Sequence, residues 1–98
     1  MRNNEQKMER AIIQALTEVC EQAKPRVTGF SWLTHDVDYQ RFPESLQVTL
    51  VFTEQTSEAQ IEHGLERLVT EVQWALEPIA GTVIPPDQIE ARREHSVH

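Results

Sequence analysis

Two long segments of the chain carry apolar residues at the spacing of an amphipathic helix. The first contains Met8, Ala11, Ile12, Ala15, Leu16, Val19, Cys20 and Ala23, and the second contains Ile61, Leu65, Leu68, Val69, Val72, Ala75, Leu76 and Ile79. Residues at this spacing line up along one side of a helix and form a stripe that packs on a core. The pattern therefore predicts two amphipathic helices.

Polar and proline residues mark the ends of the first helix. Asn3 or Asn4 can cap its start, because an asparagine side chain accepts a hydrogen bond from a free N–H of the first turn. Pro25 is expected to end it, since the residue before a proline is pushed out of the helical region. Ile13 widens the apolar stripe, so we expect this helix to contact more than one neighbour.

The second helix is predicted to begin with a capping box. Ser57 and Gln60 have the spacing at which each side chain bonds the other residue's backbone N–H. The helix is expected to run to about Glu77, because Pro78 and Gly81 follow and both interrupt helices.

Two strand-like runs joined by a turn lie between the helices, within residues 28–53. In the first run Phe30 and Trp32 share one face and Leu33 and Val37 share the other, so a β-bulge is expected near Trp32. The alternate apolar positions of the second run are Leu46, Val48, Leu50 and Phe52. A turn over residues 38–45 makes the pair a hairpin, with one face towards the helices.

A short third strand is predicted at residues 82–84, followed by a polar tail from about residue 86 whose order the sequence leaves open. Asp87 and Glu90 can cap a brief helix in this tail. Together the elements predict a single α+β domain over residues 1–98. Its order is α-β-β-α-β, with two helices packed on one face of a small, mainly antiparallel sheet.

The net charge, the cysteine content and the distribution of apolar residues disfavour several classes of protein. The chain has 98 residues, 39% of them hydrophobic, and a formal net charge of -7, which disfavours nucleic acid as a partner. Cys20 is its single cysteine, so no intrachain disulfide is expected and a reducing cytoplasm fits best. No signal peptide or run of about 20 apolar residues occurs, so we expect no membrane association.

Trp74 is the candidate for a functional contact. On a helical wheel it lies nearly opposite the apolar stripe, beside His63, Arg67 and Thr70. Tryptophan and arginine are enriched at interface hot spots, so His63, Arg67 and Trp74 predict a surface that contacts a second copy or another protein. The alternative is that the C-terminal segment folds over the tryptophan, with its apolar residues Val83, Ile84 and Ile89.

Three clusters of charged or histidine residues could form a binding or catalytic site, but each is better explained as ordinary polar surface. The carboxylates of Glu58, Glu62 and Glu66 line one side of the second helix, which is typical of a solvated face. His35, Asp36 and Asp38 resemble an acid/base cluster, yet His35 points away from the two aspartates on a strand. His95 and His98 could share a metal only with further ligands.

No motif of an enzyme is present. Cys20 lies on the helical stripe, as a small buried side chain would, and no Gly-rich phosphate loop, nucleophile elbow or pair of CxxC motifs occurs. We therefore predict no catalytic residues, no cofactor and no metal site.

Three stretches are similar to a family of small bacterial proteins often labelled Fis-family transcriptional regulators: QALTEVCE at 14–21, GFSWLTH at 29–35 and FPESLQVTLVF at 42–52. The tail EARREH resembles the family's C-terminal region, although this chain lacks the Gly-Gly-Asn-Trp element that follows there. The resemblance implies DNA binding. The residues predict otherwise, because about thirty residues separate the two helices and the second helix is acidic.

The preferred interpretation is a non-enzymatic cytoplasmic protein that forms a homodimer or binds another protein. The first alternative is a nucleic-acid-associated regulator, which needs its exposed arginines on one surface: Arg26, Arg41, Arg92 and Arg93. The second alternative is a small-molecule binder at the hairpin edge, which predicts a concave pocket beside His35, Asp36 and Asp38.

Overall fold

A computed structural model describes residues 2–95, with side chains from residue 4 onward. Its helices are α1 (Arg2–Ala23) and α2 (Glu58–Ala80), and its strands are β1 (Phe30–Asp36), β2 (Gln47–Phe52) and β3 (Ile89–Arg93). Short 3-10 helices at Tyr39–Arg41 and Pro86–Gln88 precede β2 and β3. The predicted α+β class and the order α-β-β-α-β are confirmed.

The three strands form one open sheet in the order β1-β2-β3. β1 and β2 pair antiparallel, as a hairpin must, whereas β3 pairs parallel to β2. The parallel pairing follows from the long crossover through α2, which returns the chain to the end of the sheet where β2 began. Both helices pack on the same face of this sheet and on each other.

The core lies between the helices and the sheet. Its fully buried side chains are Ile12, Leu16, Leu46, Val48, Leu50, Phe52, Leu68, Val72, Leu76 and Ile84. The inward set predicted for the second strand is thus confirmed. Phe52 packs edge-on against Phe30, with 5.8 Å between ring centroids.

Gly64 lets α2 approach β2 closely. A Cβ at this position would lie 2.9 Å from ring atoms of Phe52 and 3.0 Å from the Val27 side chain. A glycine inside a helix costs about 1 kcal/mol relative to alanine, and here the packing explains it.

The predicted β-bulge in β1 is confirmed. Phe30 pairs with Phe52 and Trp32 with Val51, so Ser31 is the additional residue between them. The bulge reverses the alternation of the strand. Phe30 therefore points into the core, while Trp32 lies on the face of the sheet away from the helices and is 44% exposed.

The capping box predicted at the start of α2 is confirmed by both of its hydrogen bonds, each 3.1 Å long. The predicted end near Glu77 is wrong, because the helix continues through Pro78 to Ala80. Pro78 lacks only an N–H, and it lies on the solvent side, where water can hydrate the carbonyl left without a donor. Gly81 ends the helix with φ of 75° and an N–H bond to the Glu77 carbonyl.

The predicted cap of α1 is also wrong. α1 already includes Arg2, so Asn3 and Asn4 lie inside the helix rather than before it. Its end at Ala23, two residues before Pro25, agrees with the expected effect of the proline.

The third strand is not at residues 82–84, which form no strand, but at Ile89–Arg93 in the segment predicted as a polar tail. Ile89 is buried and pairs with Val48, while Glu90 and Arg92 point outward. Because its outward positions are charged, the segment lacks the apolar content by which a strand is recognised in a sequence. Gln88 holds the segment in place, since its amide nitrogen donates to the carbonyls of Pro43 and Leu46 at 2.9 and 2.7 Å.

Candidate functional site

The outer surface of the helical layer carries the residues that the sequence singled out. Ala15 and Val19 of α1 lie beside Trp74 and Ala75 of α2, whereas the chain just after α1 lies beside the start of α2. The two helices therefore run antiparallel and leave a seam between them on the side away from the sheet. His63, Arg67, Thr70 and Trp74 are all exposed on this side.

Trp74 is 70% exposed, the most exposed of the large apolar side chains in the described part of the chain. The alternative in which the C-terminal segment covers it is wrong. Ile84 and Ile89 are buried in the core, and Val83 is itself 52% exposed. Ile84 and Ile89 lie on the sheet side of α2, so they cannot reach a side chain on its opposite face.

A groove of about 400 Å³ lies beside Trp74 in the seam. Small side chains of both helices, Ala15 and Ala75, contribute to its lining together with Val19. Glu18 on α1 and Arg26, which follows the end of α1, lie along the same groove, so it carries charges of both signs. It can accept an apolar ring flanked by charged groups.

A second groove, of about 280 Å³, follows along the same seam between the loop after α1 and the first half of α2. His63 and Arg67 line it together with Arg26, which therefore borders both grooves. The predicted contact surface is thus divided: Trp74 lies in the first groove, and His63 and Arg67 lie in the second. Arg67 Nε is 3.7 Å from Glu71 Oε2.

The hairpin edge forms a third depression, of about 620 Å³, against the first half of α1. His35 points towards the helix, and its Nε2 lies 3.4 Å from Glu9 Oε1. The Tyr39 hydroxyl donates a hydrogen bond to the same carboxylate oxygen. The surface beside the hairpin is therefore concave, as ligand binding there requires.

The contacts in this depression shift two pKa values. The hydrogen bond from Tyr39 lowers the pKa of Glu9, with a smaller contribution from His35 and an opposing one from desolvation. Desolvation and the bond to Glu9 raise the pKa of Tyr39. Both shifts favour the state in which a neutral phenol donates to a charged carboxylate.

His35, Asp36 and Asp38 do not converge. Asp36 is exposed on the other face of β1, as strand alternation requires. Asp38 caps the 3-10 helix, accepting from the Gln40 N–H at 3.0 Å. Its backbone carbonyl accepts from the Ser45 hydroxyl at 2.7 Å. The aspartate thus supports the turn.

The remaining candidates lie apart from one another. Glu58, Glu62 and Glu66 are exposed, and Glu58 accepts from Arg93 at 2.9 Å. Cys20 is half-buried against the core, and His95 is exposed, while His98 lies outside the described residues. Residues 2–95 contain no group of three or more His, Cys, Asp or Glu side chains placed to hold a metal ion.

The four arginines of the nucleic-acid alternative do not share a surface. Arg26 borders the helical seam, whereas Arg92 and Arg93 line a depression on the opposite face of the sheet. Arg41 lies in the 3-10 helix of the hairpin turn.

Two partners were missed in the sequence. Glu9 meets Tyr39 across thirty positions of chain, and no local pattern signals such a contact. Arg26 follows Pro25, outside the helical periodicity, so the wheel of α2 could not place it beside His63 and Arg67. The available signal was its position just past a helix end, where an arginine can bond the last carbonyls of the helix. In the structure Arg26 Nε donates to the Gln22 carbonyl at 3.0 Å.

No helix among the described residues combines the length and apolarity needed to cross a bilayer. No family model, curated protein or solved structure matches the chain. The resemblance to the family labelled Fis-family transcriptional regulators stays a prediction.

Proposed function

We propose that this is a non-enzymatic protein that self-associates through the outer surface of its helical layer. In the dimer, Trp74 of each copy occupies the groove lined by Ala15, Val19 and Ala75 of the other. The observation that carries the proposal is the exposure of Trp74, 70%, at the edge of a groove lined by small side chains.

The tryptophan supplies the driving force. Its indole is the largest apolar group left in water by the described residues, and transferring most of it into a groove is worth about 2–3 kcal/mol. A two-fold dimer gains this twice. Tryptophan also loses little side-chain freedom on binding, which explains its enrichment at interface hot spots.

The second copy is favoured as the occupant because the projecting ring and the groove lie on the same surface. A two-fold axis through the seam exchanges them, so each copy supplies one ring and receives one. The charges agree with this arrangement. Glu18 and Arg26 lie at different positions along the groove, and the axis brings Arg26 of one copy towards Glu18 of the other.

Sedimentation equilibrium tests the proposal. The wild type should show a concentration-dependent dimer, and Trp74→Ala should weaken it by about a thousandfold, the equivalent of roughly 4 kcal/mol, because the substitution removes both rings. Trp32→Ala is the matched control, since Trp32 is the other exposed tryptophan and lies on the opposite face of the sheet. Its dimer constant should equal that of the wild type.

A charge-reversal pair tests the orientation. Glu18→Arg and Arg26→Glu should each weaken the dimer, and the double variant should recover part of the loss if the two residues meet across the axis. A wild type that stays monomeric at all concentrations, or a dimer unaffected by Trp74→Ala, would refute the proposal.

A further inference from the structure

The groove at the start of α2 has an unusual set of side chains for an acidic protein. Its basic side chains come from two parts of the chain: Arg26 after α1, and His63 and Arg67 on α2. None of the described residues that line it carries a carboxylate. Positive charge is thus gathered in one concave place on a chain of net charge -7.

Local contacts leave hydrogen-bond donors available there. Arg26 is oriented by the bond from its Nε to Gln22, and its terminal nitrogens have no partner among the described residues. Gln60 uses its side-chain oxygen in the capping box, so its amide nitrogen remains a donor. The Thr28 hydroxyl adds another donor at the wall of the groove.

The base of the groove is built closely around Gly64. Because this residue has no side chain, Val27 approaches the helix, and the two line the groove together. The space of about 280 Å³ suits one small ligand with an anionic group and a short apolar body.

We propose that this groove binds the oxyanion of a small organic ligand, either a phosphoryl or a carboxylate group. Arg26 and Arg67 hold the anion from two sides with their planar guanidinium groups, which match both kinds of oxyanion. His63, Thr28 and Gln60 complete the ring of donors. Arg67 already reaches towards Glu71 at 3.7 Å, a distance too long for a strong hydrogen bond, so an anion in the groove competes for it readily.

The test is a titration of the isotope-labelled protein with inorganic phosphate and, separately, with acetate, followed by amide chemical shifts at constant ionic strength. Shifts should be confined to the backbone of residues 26–28 and 60–67. Shifts with phosphate alone assign a phosphoryl ligand, and shifts with acetate alone or with both anions show that a carboxylate is accepted. Scattered shifts, or none with either anion, overturn the site.

Variants separate this site from general attraction of anions. Arg67→Gln should weaken binding about tenfold, because it removes one charged donor pair. Arg92→Gln, on the opposite face of the sheet, removes the same charge and should leave the affinity unchanged. Equal losses in the two variants would overturn the proposal.

The anion site and the proposed dimer share Arg26, but a variant at Trp74 distinguishes them. Trp74→Ala removes the proposed dimer contact but none of the groove's donors, so this variant should still show the localised shifts. Shifts that vanish in Trp74→Ala while they persist in Arg67→Gln would show that the anion sits in the dimer groove, which also overturns the site.

Discussion

The phenolic hydroxyl of Tyr39 donates a hydrogen bond to the Glu9 carboxylate and thereby joins the hairpin turn to α1. The same carboxylate oxygen lies 3.4 Å from His35 Nε2. A single oxygen of the helix thus holds two side chains of the hairpin, one from β1 and one from the 3-10 helix that follows it.

The Tyr39 to Glu9 bond predicts a pH-dependent contribution to stability. The pKa of Glu9 is lowered in the folded state, so its contribution is present above the unfolded value of about 4.3 and is lost as the pH falls through the folded pKa. The pKa of Tyr39 is raised, so its contribution is present below about 10 and is lost as the pH rises through the folded pKa.

Tyr39→Phe should therefore reduce the unfolding free energy by about 1 kcal/mol at neutral pH, since Glu9 is partly exposed and water competes for it. Urea denaturation measured from acid to alkaline pH should show this difference shrinking at both ends. A difference that is constant over the whole range would contradict the role of the pair. Tyr39→Phe made in a Glu9→Gln background should give a smaller, nearly pH-independent difference on the acid side.

The position of the third strand predicts a contrast between two apolar residues. Ile89→Ala should lower the unfolding free energy by about 2–4 kcal/mol, because Ile89 is 4% exposed and its removal leaves a cavity against Val48. Val83→Ala, in the segment first predicted as the strand, should change it by less than about 0.5 kcal/mol, since Val83 is 52% exposed. If urea denaturation showed equal losses of unfolding free energy for the two variants, the assignment of the third strand to Ile89–Arg93 would be wrong.

Gly64→Ala predicts a conflict between helix propensity and packing. Propensity alone would stabilise α2 by about 1 kcal/mol, but the new methyl group would lie 2.9 Å from the Phe52 ring. We expect the clash to dominate and the variant to lose about 1–2 kcal/mol. Thr70→Ala, exposed on the same helix, is the control and should be neutral or slightly stabilising. A stabilised Gly64→Ala variant would show that Phe52 moves aside freely.

Fluorescence offers a second view of the proposed dimer. The chain has two tryptophans, so Trp32→Phe leaves Trp74 as the only indole. Dilution of this variant should shift its emission to longer wavelength and increase quenching by acrylamide, as the ring leaves the partner's groove for water. In Trp74→Phe the remaining signal should not depend on concentration. Two signals that are both insensitive to dilution would speak against the contact.

Much of the architecture could be predicted from periodicity. The stripes of α1 and α2, the alternation in β2 and the bulge near Trp32 each follow from local spacing, and all appear in the structure. β3 could not be found in this way. Its sequence has one isoleucine, one alanine and several charged residues, which is not a typical strand pattern. The segment forms a strand because it pairs with the free edge of β2, and this pairing depends on the tertiary structure.

The candidate site, too, could be predicted only in part from local spacing. The wheel of α2 placed Trp74 opposite the core, and the structure leaves it exposed there. Helical periodicity describes one element at a time, so it could not show that α1 lies antiparallel to α2. It also could not show that Arg26 separates the groove of Trp74 from that of His63 and Arg67.

The position of β3 has a consequence for biosynthesis. β2 is the central strand, yet one of its edges stays bare until the chain has been made through α2 and on to Ile89–Arg93. A nascent hairpin with an unpaired hydrophobic strand is a template for pairing with other chains. In the folded chain Gln88 joins the late segment to the hairpin turn through the carbonyls of Pro43 and Leu46, and β3 then covers the exposed edge of β2.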